Sequence, residues 1–147
     1  VKQLQGDAIV FQGKYDIDQK KGTARDKVSG AMYAVKIIPK AEVKNTEQLK
    51  EHIKIMRMMD HPNVVRLLET VEDGGNLGFL WEFLAGGTLF DRVVESGHFS
   101  EVQTAVAIQQ IAKAISYLHR ECVCHRDVKP ENFLFATKEP VEKSVLK

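Results

Sequence analysis

Apolar residues in the first half of the chain often alternate with other residues, a period of two that predicts β-strands. The alternation is clearest over residues 31–38, a strand that Pro39 is expected to end. Residues 64–71 and 77–84 predict an antiparallel strand pair around the turn Asp73–Asn76. Another strand is predicted to start at Tyr15–Ile17.

The other N-terminal segments give weaker signals. Residues 1–14 are ambiguous, with a possible short strand at Ala8–Phe11. The polar stretch Asp18–Lys27 is expected to be turn or loop, and Ser29-Gly30 is a turn signal.

Apolar residues spaced three and four apart predict helices in three places. A helix capped by Asn45 or Thr46 should run to the segment Asp60–Asn63, with a short helix at Leu89–Val94 and a long one from Ser100 to about Arg120. The first of these helices has one apolar stripe, formed by Leu49, Ile53, Met56 and Met59. The apolar positions of the long helix cover about half its circumference; they are Val102, Ala105, Val106, Ala107, Ile108, Ile111, Ala112, Ile115 and Leu118.

This order of elements predicts an α+β fold. A small antiparallel sheet with one main helix comes first, and the first helices of a helical part follow. Gly86-Gly87 is the expected boundary between the two parts.

Composition narrows the functional classes only slightly. A chain of 147 residues with 44% apolar residues can form one domain with a core, and its net charge of +1 gives no argument for nucleic-acid binding. No apolar run approaches the roughly 20 residues of a membrane span. Cys122 and Cys124 are expected to be buried reduced thiols, and no signal-peptide core precedes them, so a cytoplasmic location is expected. The first residue is Val1 rather than Met, so it need not be the natural start.

The most informative stretch is His125-Arg126-Asp127-Val128-Lys129-Pro130-Glu131-Asn132, a polar cluster flanked by apolar residues. Such an arrangement suits a loop that presents charged groups to a cleft, although a surface ion pair on an ordinary turn is the alternative. The stretch resembles the catalytic loop of eukaryotic protein kinases, and its Lys-Pro-Glu-Asn form indicates the serine/threonine branch.

Three further stretches make the resemblance closest to calcium-dependent and calmodulin-dependent protein kinases. They are Tyr33 to Lys40, Asp60 to Asn63 and Gly86 to Phe90. The resemblance implies a protein-kinase-like fold, with an N-lobe and hinge over about residues 15–85 and the start of a C-lobe over about residues 86–147. It also implies ATP and Mg²⁺ as cofactors and a protein as substrate or partner.

The resemblance assigns catalytic roles to three residues of the loop. Asp127 would accept the proton of the substrate hydroxyl and orient it, and Lys129 would steady the transferring phosphate. Asn132 would bind a magnesium ion.

Five further residues would bind the nucleotide by the same resemblance. Lys36, with Ala34 two residues before it on an inward-facing strand position, would hold the α and β phosphates. Glu82 and Leu84 of the hinge would read adenine through their backbone groups, and Leu134 would form the floor beneath the ring.

Four departures from the family pattern argue against catalysis. Only Gly22 lies between Tyr15 and Lys27, so a Gly-rich phosphate loop is missing and the segment is expected to be too short for the family's strand-loop-strand hairpin. His52 stands where the family has the glutamate that pairs with the strand lysine, and a mostly neutral imidazole cannot replace it.

The third and fourth departures concern the adenine pocket and the far end of the domain. Trp81 occupies the gatekeeper position, where it would fill part of the adenine pocket or else a void in the core. The sequence ends at Lys147, where the family continues into Asp-Phe-Gly, so we expect an incomplete domain without that aspartate or the activation loop.

Three functions remain open on these grounds. The chain is an incompletely represented serine/threonine kinase, a pseudokinase-like protein-binding module without catalysis, or an active kinase of unusual form. The apolar surface of the long helix predicts self-association or a partner.

Overall fold

A computed structural model of the chain describes residues 13–72 and 74–147, which fall into two compact units. The first unit comprises the described residues up to Met59 together with Arg66–Phe83. The second comprises Asp60–Val65 and Leu84–Lys147. The strand predicted at Ala8–Phe11 lies outside the described residues.

The first unit is built on a five-stranded antiparallel sheet with the order β1-β2-β3-β5-β4. Its strands are β1 (Tyr15–Asp18), β2 (Thr23–Asp26), β3 (Met32–Pro39), β4 (Leu67–Glu72) and β5 (Asn76–Glu82). The four strands predicted within the described residues are therefore confirmed, although β4 begins three residues later than predicted. The antiparallel pairing of β4 with β5 was also predicted.

The expectation of turn or loop throughout Asp18–Lys27 is wrong, because β2 lies inside it. The side chain of Asp18 accepts hydrogen bonds from the backbone N–H groups of Lys20 at 3.1 Å and Lys21 at 3.2 Å. Gly22 follows with φ of 63°, a conformation that glycine adopts without steric cost. These features close a tight hairpin, so the segment is not too short for one.

The two faces of this sheet have different roles. Val35 pairs with Leu80, and their face packs into a core whose fully buried members are Tyr15, Ala24 and Leu80. Successive strand residues point to opposite faces. Ala34 and Lys36 therefore project from the other face of β3.

One helix, α1 (Thr46–Met58), completes the first unit. Asn45, one of the two residues predicted as its cap, begins the helix, and its side chain accepts a hydrogen bond from the Gln48 N–H at 3.0 Å. The predicted apolar stripe is also confirmed: Leu49, Ile53 and Met56 are half-buried, and Met59 just beyond the helix is buried.

The second unit contains α2 (Leu89–Ser96) and α3 (Glu101–Arg120), both close to their predicted positions. Ser100 and Gln103 form a capping box at the start of α3, with hydrogen bonds of 3.1 and 3.0 Å. Val102 and Ile108 remain 63% and 57% exposed on this helix. Within residues 13–72 and 74–147, no helix is both long and apolar enough to span a membrane.

A small set of extended segments joins α2 and α3 into one core. Gly86 N–H donates to the Phe135 carbonyl and Phe135 N–H to the Gly87 carbonyl, both at 2.9 Å. Leu134 and Lys147 exchange backbone hydrogen bonds of 2.8 and 2.9 Å on the other side. The buried residues that they bring together are Leu89, Ala107, Phe133, Phe135, Val141 and Leu146.

The prediction of buried cysteines is wrong. Cys122 and Cys124 are free thiols, as expected, but both are exposed. Cys122 lies in the turn after α3 with φ of 59°, and the N–H of Val123 donates to the Leu118 carbonyl at 2.8 Å. Val123 therefore takes the inward position, and its two neighbours face solvent.

Candidate active site

The His125–Asn132 stretch forms an exposed loop between α3 and the buried residues Phe133 and Phe135. Arg126 has φ of 65°, in the left-handed region that non-glycine residues seldom occupy. The backbone N–H of Asp127 donates to His125 Nδ1 at 3.3 Å. A short 3₁₀ helix, Pro130–Asn132, then leads into the core.

This loop brings together the three side chains that the sequence singled out as catalytic. Asn132 Nδ2 donates to Asp127 Oδ2 at 2.7 Å and to the Asp127 carbonyl at 2.8 Å. Lys129 Nζ lies 3.1 Å from the same Oδ2. The chain thus closes on itself around one carboxylate, which explains the five-residue spacing from aspartate to asparagine.

These contacts set the protonation state of the carboxylate. The hydrogen bond from Asn132, followed by that from Lys129, lowers the pKa of Asp127 below its ordinary value because both donors favour the charged form. Asp127 is therefore ionised at neutral pH and is a weak base. A carboxylate of this kind can accept a hydrogen bond from a hydroxyl group and orient it.

Replacing Asn132 with alanine is expected to raise the pKa of Asp127 towards its ordinary value, because the largest stabilising contact of the anion is lost. The pH titration of the Asp127 carboxyl ¹³C resonance measures this change directly. The folded-state pKa is lowered, so the contact stabilises the fold above the unfolded-state pKa, and that stability is lost as the pH falls through the folded-state pKa. Lys129→Met should give a smaller rise, and an unchanged pKa in Asn132→Ala would contradict the assignment.

Lys36 lies on the opposite face of β3 from the core, in cross-strand register with Phe79. Its neighbour on the same face, Ala34, is opposite Trp81, which is half-buried. Lys36 is exposed, and no carboxylate lies within ion-pair distance of it in the described part of the chain. His52 is also exposed on α1, so nothing here fixes the ammonium group.

The predicted adenine-reading residues are placed as follows. Glu82 ends β5, and its N–H already donates to the Arg66 carbonyl at 3.1 Å. Leu84, in the second unit, is half-buried, and its backbone groups make no hydrogen bond within residues 13–72 and 74–147. Leu134 is half-buried and forms an isolated antiparallel β-bridge with Thr88.

The turn between β1 and β2 offers few donors for a phosphate. Its N–H groups at Lys20 and Lys21 point to the Asp18 carboxylate, and the hydrogen bond from Lys21 is the main cause of the lowered pKa of Asp18. Gly22 uses its carbonyl to accept from the Val35 N–H at 2.8 Å. An anion at this turn would therefore compete with Asp18.

Asn132 has the chemistry to take part in magnesium binding. Both of its hydrogen bonds run from Nδ2, and its Oδ1 has no partner among the described residues. A carbonyl oxygen beside the ionised Asp127 matches the oxygen ligands that magnesium prefers. In the same described ranges, no group of three or more His, Cys, Asp or Glu side chains could hold a metal ion.

Two features of the loop were not predicted. His125 positions Asp127 through its Nδ1 and stacks on Phe133, with ring centroids 6.4 Å apart. Arg126 supplies the left-handed residue that turns the chain. The sequence carried no residue-level signal for this turn, since glycine or asparagine would be usual at such a φ value.

The sequence matches a known protein family. The family pattern described as the protein kinase domain matches residues 21–145. The chain is 42% identical over 115 residues to calcium-dependent protein kinase 3 of Plasmodium yoelii yoelii, covering 78% of this chain and 21% of that protein. It is 38% identical over 133 residues to human calcium/calmodulin-dependent protein kinase type IV, covering 90% of this chain and 25% of that protein.

The chain therefore belongs to the protein kinase family. Its resemblance to calcium-dependent and calmodulin-dependent serine/threonine kinases is confirmed, and so is the predicted α+β, kinase-like fold. Calcium-dependent protein kinase 14 of Arabidopsis thaliana is similarly related, at 43% identity over 115 residues, 76% of this chain and 22% of that protein. The chain spans about a fifth of the length of the first such relatives.

Proposed function

We propose that this chain is a serine/threonine kinase domain whose catalytic loop is assembled but whose phosphate-holding elements are not. The small lobe would cover about residues 15–85 and the helical lobe would begin near residue 86. Such a domain would orient a protein hydroxyl at Asp127 yet transfer phosphate very poorly. The observation that carries the proposal is the isolation of Lys36 from any carboxylate among the described residues.

A lysine without a carboxylate partner binds the nucleotide phosphates weakly. Its side chain has about 2 kcal/mol of rotamer entropy, which a fixed partner on α1 would remove before the nucleotide binds. His52 cannot act as this partner, since an imidazole carries no negative charge to hold an ammonium group as a carboxylate does. Lys36 must therefore be ordered by the nucleotide itself, at the expense of affinity.

The β1–β2 turn adds a second obstacle. Backbone N–H groups in this position would have to cover the phosphates, but Lys20 and Lys21 already donate theirs to Asp18. The Asp18 carboxylate is ionised, because the hydrogen bond from Lys21 lowers its pKa. A nucleotide phosphate would meet this negative charge rather than free donors.

The remaining residues would have the roles that the corresponding residues have in the family. Bound ATP and Mg²⁺ would supply the phosphoryl group and neutralise its charge. Asn132 would provide one oxygen to the magnesium ion, and Lys129 would steady the transferring phosphate. Leu84 and Leu134 would contact the adenine ring.

Restoring the missing carboxylate tests this proposal. Millimolar Mg-ATP should leave the melting temperature of the unmodified chain unchanged. His52→Glu should tighten Mg-ATP binding by about fivefold through an exposed ion pair with Lys36. Isothermal titration calorimetry measures the binding affinity, and thermal unfolding measures the melting temperature. His52→Gln, which has no charge, is the matched control and should behave as the unmodified chain does.

Two outcomes would count against the proposal. A clear Mg-ATP response in the unmodified chain, with phosphate transfer that Asp127→Asn abolishes, would identify an active kinase. Equal responses in His52→Glu and His52→Gln would show that the carboxylate is not the missing element.

Protein binding without catalysis is a second candidate function. It is favoured by the exposed Val102 and Ile108 on α3, which a partner protein or a second copy of the chain would cover. The same calorimetric experiment separates the two functions. A failure of both the unmodified chain and His52→Glu to bind Mg-ATP is the result that this second function requires.

A further inference from the structure

Two exposed thiol groups lie beside the candidate active site and have no role in the function proposed above. Cys122 and Cys124 are the two cysteines of the chain, and both are free and exposed. They lie between the end of α3 and His125, the first residue of the candidate catalytic loop. Two accessible thiols that are separated by one residue can react with each other.

The end of α3 directs both thiols to the same side of the chain. The N–H of Cys122 donates to the His119 carbonyl at 3.1 Å, and the N–H of Val123 donates to the Leu118 carbonyl at 2.8 Å. This is the Schellman pattern of helix ends, and Cys122, with φ of 59°, occupies the left-handed position that usually holds glycine. Val123 is half-buried between two exposed neighbours. Burial alternates in this way along an extended chain, in which residues two apart share a side.

The separation of the two cysteines suits a disulfide that is easily reduced. In an extended chain, Cα atoms two residues apart are separated by roughly 6.6 Å. This is near the upper limit for a disulfide, which most often joins Cα atoms about 5.5–6 Å apart. The chain must therefore bend at Val123 to close the bond, and strained, exposed disulfides are the ones that thiols reduce readily.

A metal ion fits the pair less well than a disulfide does. Zinc in structural sites takes four protein ligands. Residues 13–72 and 74–147 contain no group of three or more His, Cys, Asp or Glu side chains that could hold a metal ion. The two thiols are therefore more suited to reaction with each other.

We propose that Cys122 and Cys124 form a reversible redox pair, which a peroxide oxidises to a disulfide and an external thiol reduces again. One sulfur attacks an oxygen of hydrogen peroxide and the O–O bond breaks; the released hydroxide takes the thiol proton, giving a sulfenic acid and water. The second thiol attacks that sulfur, the S–O bond breaks and a second water leaves. In total, two thiols and one peroxide give one disulfide and two waters, with both sulfurs oxidised and both peroxide oxygens reduced.

The disulfide would act on the candidate active site through the residue that follows it. His125 comes directly after Cys124, its Nδ1 accepts from the Asp127 N–H at 3.3 Å, and its ring stacks on Phe133. Drawing Cys124 towards its partner would move His125 and break that hydrogen bond. The bend at Val123 would also break its hydrogen bond to α3. Oxidation would therefore loosen the loop, whether or not the chain transfers phosphate.

Intact mass and thiol counting test disulfide formation on the full 147-residue chain. The reduced chain should take up two maleimide groups, one for each cysteine. After a slight excess of hydrogen peroxide it should take up none, lose two hydrogen atoms in mass and still run as a single chain in non-reducing electrophoresis. Dithiothreitol should restore both thiols.

The single variants Cys122→Ser and Cys124→Ser are the matched controls. Each can gain oxygen but cannot lose two hydrogen atoms within one chain. Disulfides between copies of the unmodified chain, oxygen gain in place of hydrogen loss, or two thiols that stay reactive after peroxide would each overturn the redox pair.

Amide hydrogen exchange, followed by NMR, tests the effect on the loop. In the oxidised chain the N–H groups of Val123 and Asp127 should exchange about tenfold faster than in the reduced chain, because each loses a hydrogen bond. The N–H of Gln103, bonded to Ser100 at the far end of α3, is the internal reference and should not change. Peroxide-treated Cys124→Ser should keep the rates of the reduced chain. Unchanged rates at Val123 and Asp127 in a chain shown to hold the disulfide would overturn the coupling, and so would an equal increase at Gln103.

Discussion

Gly86→Ala is expected to destabilise the second unit by about 3 kcal/mol, because the new methyl group has no space. A Cβ atom at Gly86 would lie 2.5 Å from Phe135 Cβ and 2.6 Å from the Phe135 carbonyl oxygen. Real Cβ atoms do not approach backbone atoms so closely. The Gly86 N–H also donates to that same carbonyl at 2.9 Å, so moving the chains apart would break the hydrogen bond.

Urea unfolding followed by circular dichroism measures the loss. Gly74→Ala is the matched control, since a Cβ atom at Gly74 meets nothing within 4 Å, and its stability should differ from that of the unmodified chain by less than about 0.5 kcal/mol. If both glycine variants unfold at the urea concentration of the unmodified chain, the close packing of Gly86 on Phe135 is wrong.

Phe135→Ala is expected to cost about 3–5 kcal/mol of unfolding free energy, because it leaves a cavity in the centre of the second unit. Phe135 is completely buried within that core. Arg92 lies over its ring, with the guanidinium carbon 4.4 Å from the ring centroid. The same guanidinium donates hydrogen bonds of 3.0, 2.8 and 2.8 Å to the carbonyls of Gly86, Glu139 and Thr137.

Phe90→Ala serves as the comparison, because it removes the same side chain from a position that is 47% exposed. Its cost should be below about 1 kcal/mol. Similar losses in the two phenylalanine variants, measured by urea unfolding, would contradict the central place of Phe135 in the core.

Both predictions bear on the candidate active site through the position of the His125–Asn132 loop. Asn132 is followed at once by Phe133, whose side chain is buried with Phe135. Loosening that core should release Asn132 from Asp127 and raise the pKa of the carboxylate. Stability of the second unit and the geometry of the candidate active site are therefore coupled.

The sequence predicted much of this structure from local patterns. Strand and helix positions followed from periodicity, and Asn45 and the start of α3 at Ser100-Glu101 followed from capping preferences. The clustering of Asp127, Lys129 and Asn132 followed from a short motif, because residues so close in sequence can meet through one turn of chain. Contacts of this kind depend on few other residues.

Errors arose where strand pairing or an unpredicted turn overrode the local signal. Residues 23–26 looked polar, but pairing with β1 and β3 on both sides makes them a strand. The cysteines looked like core residues, but the turn after α3 directs them outward. The left-handed backbone of Arg126 is likewise imposed by its surroundings, since arginine has no preference for that conformation.

Long-range polar contacts were beyond the sequence altogether. Asn63 is buried, and its side chain donates to the Leu146 carbonyl at 2.7 Å and to Gln110 Oε1 at 2.9 Å. The same Gln110 oxygen accepts from the Leu146 N–H at 2.8 Å. These hydrogen bonds join three segments that are far apart in the chain, and no local sequence pattern predicts them.

By itself, then, the sequence predicted the family, most of the elements in their order and the clustering of Asp127, Lys129 and Asn132, because each depends on residues that are near neighbours in the chain. Only the tertiary structure decided that Gly86 must be glycine, that the β1–β2 turn amides donate to Asp18, and that Lys36 has no carboxylate partner among the described residues. These features depend on which distant side chains share the same space, and folding alone brings those side chains together.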